Sequence, residues 1–240
     1  MYRNTKKIKT GTTYQAHLLM ALKLLEIPPD VLGDVVECGT WKGGSAANLS
    51  IVCKIVGRKL RIFDSFEGLP NGHPEDRMAR HASTGLFCGA IDEVRSNISR
   101  YGEIDVCEFN KGWYQDTLPG IEGPIVLSFL DVDYEASLDI CIRSVWPHLV
   151  SNGYIFIDEY LELNYCSLFF SEKYWDKYFK RKPPGLIGAG SGLPLGSYYI
   201  GPFRGLGTLS PLERPTGPAY TRKDFYSSWE FYPDESEVTP

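Results

Sequence analysis

The sequence contains no C-x-x-C pair, no run of more than three lysines or arginines, and no apolar stretch of the roughly 18 residues that a membrane span needs. Each absence removes a class of protein. The six cysteines, at 38, 53, 88, 107, 141 and 166, stand singly, several inside apolar patterns, and read as buried reduced thiols acting as small hydrophobes. The four histidines, at 17, 73, 81 and 148, are as widely scattered, which argues against a zinc site. Basic and acidic residues, 25 and 30 of them, mix along the chain to a net charge of −5. No basic stripe exists that could track phosphates, so nucleic acid is not an expected partner. The basic start M-Y-R-N-T-K-K-I-K-T leads into an amphipathic segment, where a signal peptide would need a continuous apolar run and a small-residue cleavage site. The expectation is a soluble, cytoplasmic protein that does not associate with membranes.

What is present suffices for one generous domain, since 240 residues with 43% apolar and 13% aromatic content can bury a full core. The stretch T-T-Y-Q-A-H-L-L-M-A-L-K-L-L-E-I begins with capping threonines and sets Leu18, Leu22 and Leu25 at helical spacing, which predicts an amphipathic helix that Pro28-Pro29 ends. Short apolar strands follow at 34–38, 60–64, 106–110, 124–131 and 153–159. Between them lie helical patterns: one capped by Ser45, one marked by Val94, Ile98 and Tyr101, and one over 138–146 leading to Pro147. A polar loop from 67 to about 90 contains Gly and Pro, and a loop that long is usually functional; its stretch from Asn71 to Ala90 is a candidate lid. Residues 164–180 look helical, and 185–192 with 195–201 could pair antiparallel across Leu193-Pro194. Strands alternating with helices predict an α/β fold with a mostly parallel sheet, helices on both faces and a C-terminal antiparallel strand. A single domain over 1–203, with an N-terminal helical segment at 12–32, precedes a Pro-, Gly- and aromatic-rich arm at 204–240. Exposed aromatics there make a homo-oligomer plausible.

In open parallel sheets, ligands bind outside the carboxyl ends of the strands. Those ends read E-C-G-T-W-K-G-G-S, F-D-S-F, N-K-G-W, L-D-V-D and I-D-E. The first has glycines at 39, 43 and 44, which let a backbone approach a ligand closely, although the same turn would serve as a plain strand-to-helix connection. It is not a G-x-x-x-x-G-K-[ST] phosphate loop, and Trp41 departs from the dinucleotide G-x-G-x-x-G. Asp64 ends the next strand, where an acid accepts hydrogen bonds from ribose hydroxyls, so the two together indicate an adenosine-containing cofactor.

Asp131 closes the fourth strand and Asp158-Glu159 the fifth, so adjacent parallel strands would set three carboxylates side by side. At about 4 Å they would repel by some 4 kcal/mol per pair at an effective dielectric of 20. A bound cation removes that repulsion, and all-oxygen donors favour Mg²⁺, with Ca²⁺ or Mn²⁺ as alternatives. Asp131, Asp133 and Glu135 would also suit the start of a following helix, but this does not account for the second acidic strand end.

The combination V-V-E-C-G-T-W-K-G-G-S, F-D-S-F-E-G-L-P, G-W-Y-Q-D-T-L-P, F-L-D-V-D-Y-E-A-S and G-Y-I-F-I-D-E-Y, over roughly residues 33 to 160, resembles the macrocin-type O-methyltransferases. These are metal-dependent, S-adenosylmethionine-dependent enzymes that methylate sugar hydroxyls in natural-product pathways, with the Rossmann-like class I methyltransferase fold. The resemblance implies that Glu37, Gly39, Thr40, Gly43, Gly44 and Ser45 hold the methionine end of the cofactor, Asp64 and Ser65 its ribose, and Gly112 and Trp113 its adenine. It also implies that Asp131 is general base and metal ligand, with Asp158 and Glu159 completing the protein ligands, and that the partner is a small-molecule acceptor, a sugar or glycosylated natural product. The chain departs from the pattern at Glu159, where the family more often has aspartate, and in D-V-D-Y-E-A-S, where the usual form is D-x-D-L-Y-E-S. A catechol-type acceptor, a nicotinamide-dependent oxidoreductase and a non-catalytic cofactor-binding scaffold are the competing readings.

Overall fold

The structure is a computed structural model that describes residues 1–72, 83–158, 163–189 and 219–224. Its elements in chain order are α1 (Tyr2–Thr5), α2 (Tyr14–Leu25), β1 (Asp34–Cys38), α3 (Gly44–Val56), β2 (Leu60–Asp64), α4 (Ile91–Tyr101), β3 (Cys107–Lys111), α5 (Tyr114–Thr117), β4 (Ile125–Leu130), α6 (Glu135–Val145), β5 (Leu149–Ile157), α7 (Leu163–Leu168), α8 (Glu172–Phe179), β6 (Ile187–Ala189) and β7 (Ala219–Arg222). Among the described residues the sheet has seven strands in the order β3-β2-β1-β4-β5-β7-β6. The first five run parallel; β7 pairs antiparallel with β5, and β6 antiparallel with β7.

Alternation along the strands feeds two cores. In β1, Val35 belongs to one core with Leu24 of α2, Leu49 of α3 and Ile98 of α4, while its neighbour Val36 belongs to the other, with Leu138 and Ile142 of α6 and Trp175 of α8. Because helices cover both faces, β4 is buried at all six positions and is apolar at every one but Ser128. The aromatics of α7 and α8 join this core: Trp175 stacks edge-on to Trp146 at 4.5 Å and donates its indole N–H to the Leu168 carbonyl at 2.7 Å.

Several elements differ from the sequence reading. Thr13 caps α2 as expected, its hydroxyl accepting the Ala16 N–H, but Leu18, Leu22 and Leu25 face outward while Leu19, Met20 and Leu24 are buried. The helix is apolar on two sides, so spacing alone could not choose the inner one. Residues 163–179 form two helices, because Ser171 caps α8 by accepting the Tyr174 N–H and so restarts the chain. Cys88 is exposed, whereas Cys38, Cys53 and Cys141 are buried. The described partner of 187–189 is 219–222, which lies within the stretch read as the C-terminal arm; the predicted pairing with 195–201 lies outside the described residues. No helix among the described residues is long and apolar enough to cross a membrane.

Candidate functional site

Chain order reverses direction between β1 and β4: β2 and β3 extend the sheet to one side, β4 and β5 to the other. At such a switch point the connecting loops diverge and leave a crevice. The sheet's hydrogen bonding continues one residue past each strand and aligns the ends. The Gly39 N–H donates to the Phe63 carbonyl at 3.0 Å, Asp131 to Cys38 at 2.9 Å, Asp158 to Leu130 at 3.3 Å, and Gly112 to Asp64 at 3.0 Å. A cavity of about 290 Å³ opens above these ends, lined by Gly39, Thr40, Ser45, Asp64, Ser65, Gly112, Trp113, Asp131 and Asp158 among others.

Gly39 could hardly be another residue. Its φ is +84°, and a Cβ there would lie 1.8 Å from the Asp131 carbonyl oxygen, so the glycine turn and the β4 end touch backbone to backbone. Asp64 holds this turn from the next strand: its Oδ2 accepts the Thr40 N–H at 2.7 Å and its Oδ1 the Phe66 N–H at 2.6 Å. Burial raises the Asp64 carboxyl above the usual range, against the opposing pull of those amides. The Ser65 hydroxyl closes its own turn, donating to the Gly68 carbonyl and accepting the Glu67 N–H, both at 3.1 Å.

Glu37, Gly43 and Gly44 do not line the cavity. The Glu37 side chain is fully buried beneath the turn, where it accepts hydrogen bonds from the Ser45 hydroxyl and, at 3.4 Å, from the Thr40 hydroxyl. Burial pushes its carboxyl up to about 8. Ser45 is therefore not the cap of α3; Gly43, with φ +82°, occupies the N-cap position, and the serine is turned inward to the glutamate.

At the other end Asp131, Asp133 and Asp158 line the same cavity. Helix α6 begins only at Glu135, leaving Asp133 in the preceding loop with a left-handed φ of +56°. Burial, and then the charge of Asp133, raise Asp158 to about 7. Clustered oxygen donors whose charges oppose one another suit a hard divalent cation. Among the described residues, however, no group of three histidines, cysteines, aspartates or glutamates is placed to hold a metal ion, and Glu159 lies outside the described residues.

Other lining residues were not among the site residues expected from the sequence: Thr10, Gly11, Leu69 and Tyr114, with Phe87 from the expected lid. Tyr114 directly follows the Gly112-Trp113 pair, and its hydroxyl would sit 3.4 Å from a Cβ at Gly39. Phe87 meets Trp41 edge to face at 5.3 Å, and the Leu69 N–H donates to the Leu86 carbonyl at 2.8 Å, closing the base of the loop expected to act as a lid. Residues 73–82 of that loop lie outside the described residues.

A mostly parallel sheet in this order, with its crevice between a glycine turn and acidic strand ends, defines a Rossmann-like fold of the methyltransferase type. Solved structures agree on the fold: the O-methyltransferase NovP matches with a TM-score of 0.65 at 23% identity, over 87% of this chain and 79% of that one. The calicheamicin methyltransferase CalS11 matches with a TM-score of 0.62 at 18% identity, again over 87% and 79%.

The chain belongs to the macrocin-O-methyltransferase (TylF) family, whose model matches residues 12–180. It is 35% identical over 165 residues to the 8-demethyl-8-(2,3-dimethoxy-alpha-L-rhamnosyl)-tetracenomycin-C 4'-O-methyltransferase of Streptomyces olivaceus, covering 60% of this chain and 63% of that enzyme. It is 31% identical over 173 residues to the demethyldecarbamoylnovobiocin O-methyltransferase of Streptomyces niveus, covering 63% and 65%. The chain thus spans less than two thirds of the length of these curated relatives.

Proposed function

We propose that this chain is an S-adenosylmethionine-dependent O-methyltransferase that methylates a sugar hydroxyl of a glycosylated natural product with the help of a divalent cation. The observation that carries the reading is one cavity, at the switch point of the sheet, that combines the Gly39–Ser45 turn, Asp64, Asp131 and Asp158. The family supports the reaction type, and the activities for which the relatives are named support the acceptor class.

In this reading Gly39, Thr40 and Ser45 face the methionine end of the cofactor, with Gly43 and Gly44 shaping the turn and Glu37 supporting it from below. Asp64 and Ser65 face the ribose, and Gly112 and Trp113 the adenine. When bound, S-adenosylmethionine would supply a methyl group on a sulfonium; Asp131, Asp158 and Glu159 would hold the cation, with Mg²⁺ the preferred ion, and it would supply Lewis acidity toward the acceptor. Asp131 then suffices as a weak base to accept the hydroxyl proton. The remaining task for the protein is alignment, which rests on rigid strand ends and on the loop at Asn71 to Ala90 as a lid. The outward stripe Leu18, Leu22 and Leu25 supports self-association, and a cytoplasmic location belongs to the same reading.

The test is incubation of the purified protein with S-adenosylmethionine, Mg²⁺ and a panel of glycosylated and phenolic acceptors. A sugar acceptor gaining one methyl group by mass, with loss of turnover in chelator, is the expected result. Turnover on phenols alone would move the acceptor assignment to the catechol class.

A further inference from the structure

One wall of the cavity does not come from the strand ends. Thr10 and Gly11 line it, yet they precede α2 and belong to none of the motifs at the strand ends. A chain of hydrogen bonds through the interior fixes them. The Asn4 amide donates to the Tyr101 carbonyl at 2.7 Å and to Asn48 Oδ1 at 3.0 Å. With its oxygen so engaged, Asn48 presents its own amide N–H to His17 Nδ1 at 2.8 Å. His17 Nδ1 is then the acceptor, the ring proton sits on Nε2, and that N–H meets the Thr12 hydroxyl at 2.6 Å. The Thr12 hydroxyl in turn reaches the Thr10 hydroxyl at 3.1 Å.

His17 and Asn48 are fully buried in the interface of α2 with α3, where apolar side chains would otherwise pack. A satisfied polar network in such a place specifies one geometry, because any other arrangement leaves a buried donor without an acceptor. What this network specifies is the position of Thr10 to Thr12. The glycine turn is cut to match: a Cβ on Gly44 would lie 2.7 Å from the Thr10 Cβ, so Thr10 packs directly on the first residue of α3.

We infer that Asn4, Thr12, His17 and Asn48 form a positioning network that holds Thr10 and Gly11 as a wall over the methionine end of the bound cofactor. This rests on the reading of the cavity as the S-adenosylmethionine site. Cofactor affinity then depends on a histidine that touches no ligand, and the dependence is confined to the amino-acid part of the molecule.

The test is Thr12→Val, which keeps the shape of the side chain and removes the acceptor for His17, beside Thr12→Ser, which restores it. Binding of S-adenosylhomocysteine, which has the methionine portion, and of 5′-methylthioadenosine, which lacks it, is measured by titration calorimetry. The expected result is about tenfold weaker S-adenosylhomocysteine binding by Thr12→Val, the scale of one buried hydrogen bond, with methylthioadenosine binding unchanged and Thr12→Ser like the wild type. Unchanged S-adenosylhomocysteine binding, an equal loss for both ligands, or no rescue by serine would overturn the inference. Failure of the wild type to bind either nucleoside would instead overturn the cofactor reading beneath it.

Discussion

Asp64→Asn separates two tasks that one carboxylate performs. Its two oxygens accept the Thr40 and Phe66 N–H groups at 2.7 and 2.6 Å, binding the glycine turn and the following turn to the end of β2. Asparagine has one carbonyl oxygen, so one N–H keeps its acceptor and the other faces an NH₂ group. A buried donor left in that state costs about 1–3 kcal/mol. In a chain of this size each kcal/mol moves the melting temperature by roughly 2–4 °C. Thermal unfolding without ligand should therefore fall by roughly 2–12 °C, while S-adenosylmethionine affinity falls at least about tenfold, since the neutral amide is a poorer acceptor for ribose hydroxyls. Asp64→Ala, which leaves both amides without acceptors, should melt lower still. If Asp64→Asn melted with the wild type and bound cofactor equally well, the assignment of Asp64 to the turn and the ribose would be wrong.

Three further outcomes follow from the same geometry. Asp131→Asn should lower kcat by about 10²-fold or more, the usual reach of a general base, while cofactor affinity measured by calorimetry stays near the wild type; retained turnover would remove the base. Gly39→Ala sets a methyl 1.8 Å from the Asp131 carbonyl at a left-handed φ, whose backbone cost alone is about 1–2 kcal/mol, so it should give little folded protein by circular dichroism. Stability should also follow pH in two opposed windows. His17, held near 3 by burial, cannot take up the proton that the unfolded imidazole binds below 6.5, so its contribution is lost as pH falls from 6.5 toward 3. Glu37, raised to about 8, keeps a proton that the unfolded carboxyl releases above 4.5, so stability declines as pH rises from 4.5 to 8. Denaturant titrations of Glu37→Gln should show a shallower decline over that window, the part that remains coming from Asp158, which burial raises to about 7.

The strand ends were readable because burial on both faces makes parallel strands continuous apolar runs, and because ligands gather where those runs stop. Asp64, Asp131 and Asp158 each follow a mostly apolar strand, and each reaches the cavity. The inward turn of Glu37 was not readable, since the same glutamate at a strand end could point either way until the Ser45 hydroxyl is placed beside it. Thr10 and Gly11 were missed for a different reason: they reach the site through contacts between distant segments, as Asn4 meets Asn48 and His17 meets Asn48, and local periodicity carries no record of these. The choice of inner face in α2 failed likewise, because Leu18, Leu22 and Leu25 have the same period as the residues that are buried. Tyr114 stood one place beyond the Gly112-Trp113 pair and was within reach of a closer look at that motif.

The most direct test of the central claim is calorimetric titration of the purified protein with S-adenosylmethionine and, separately, NAD⁺, each in Mg²⁺ and in chelator. Binding of S-adenosylmethionine alone is expected, with a Mg²⁺-dependent heat that Asp158→Asn abolishes. Binding of NAD⁺ in its place, or of neither nucleotide, would contradict it.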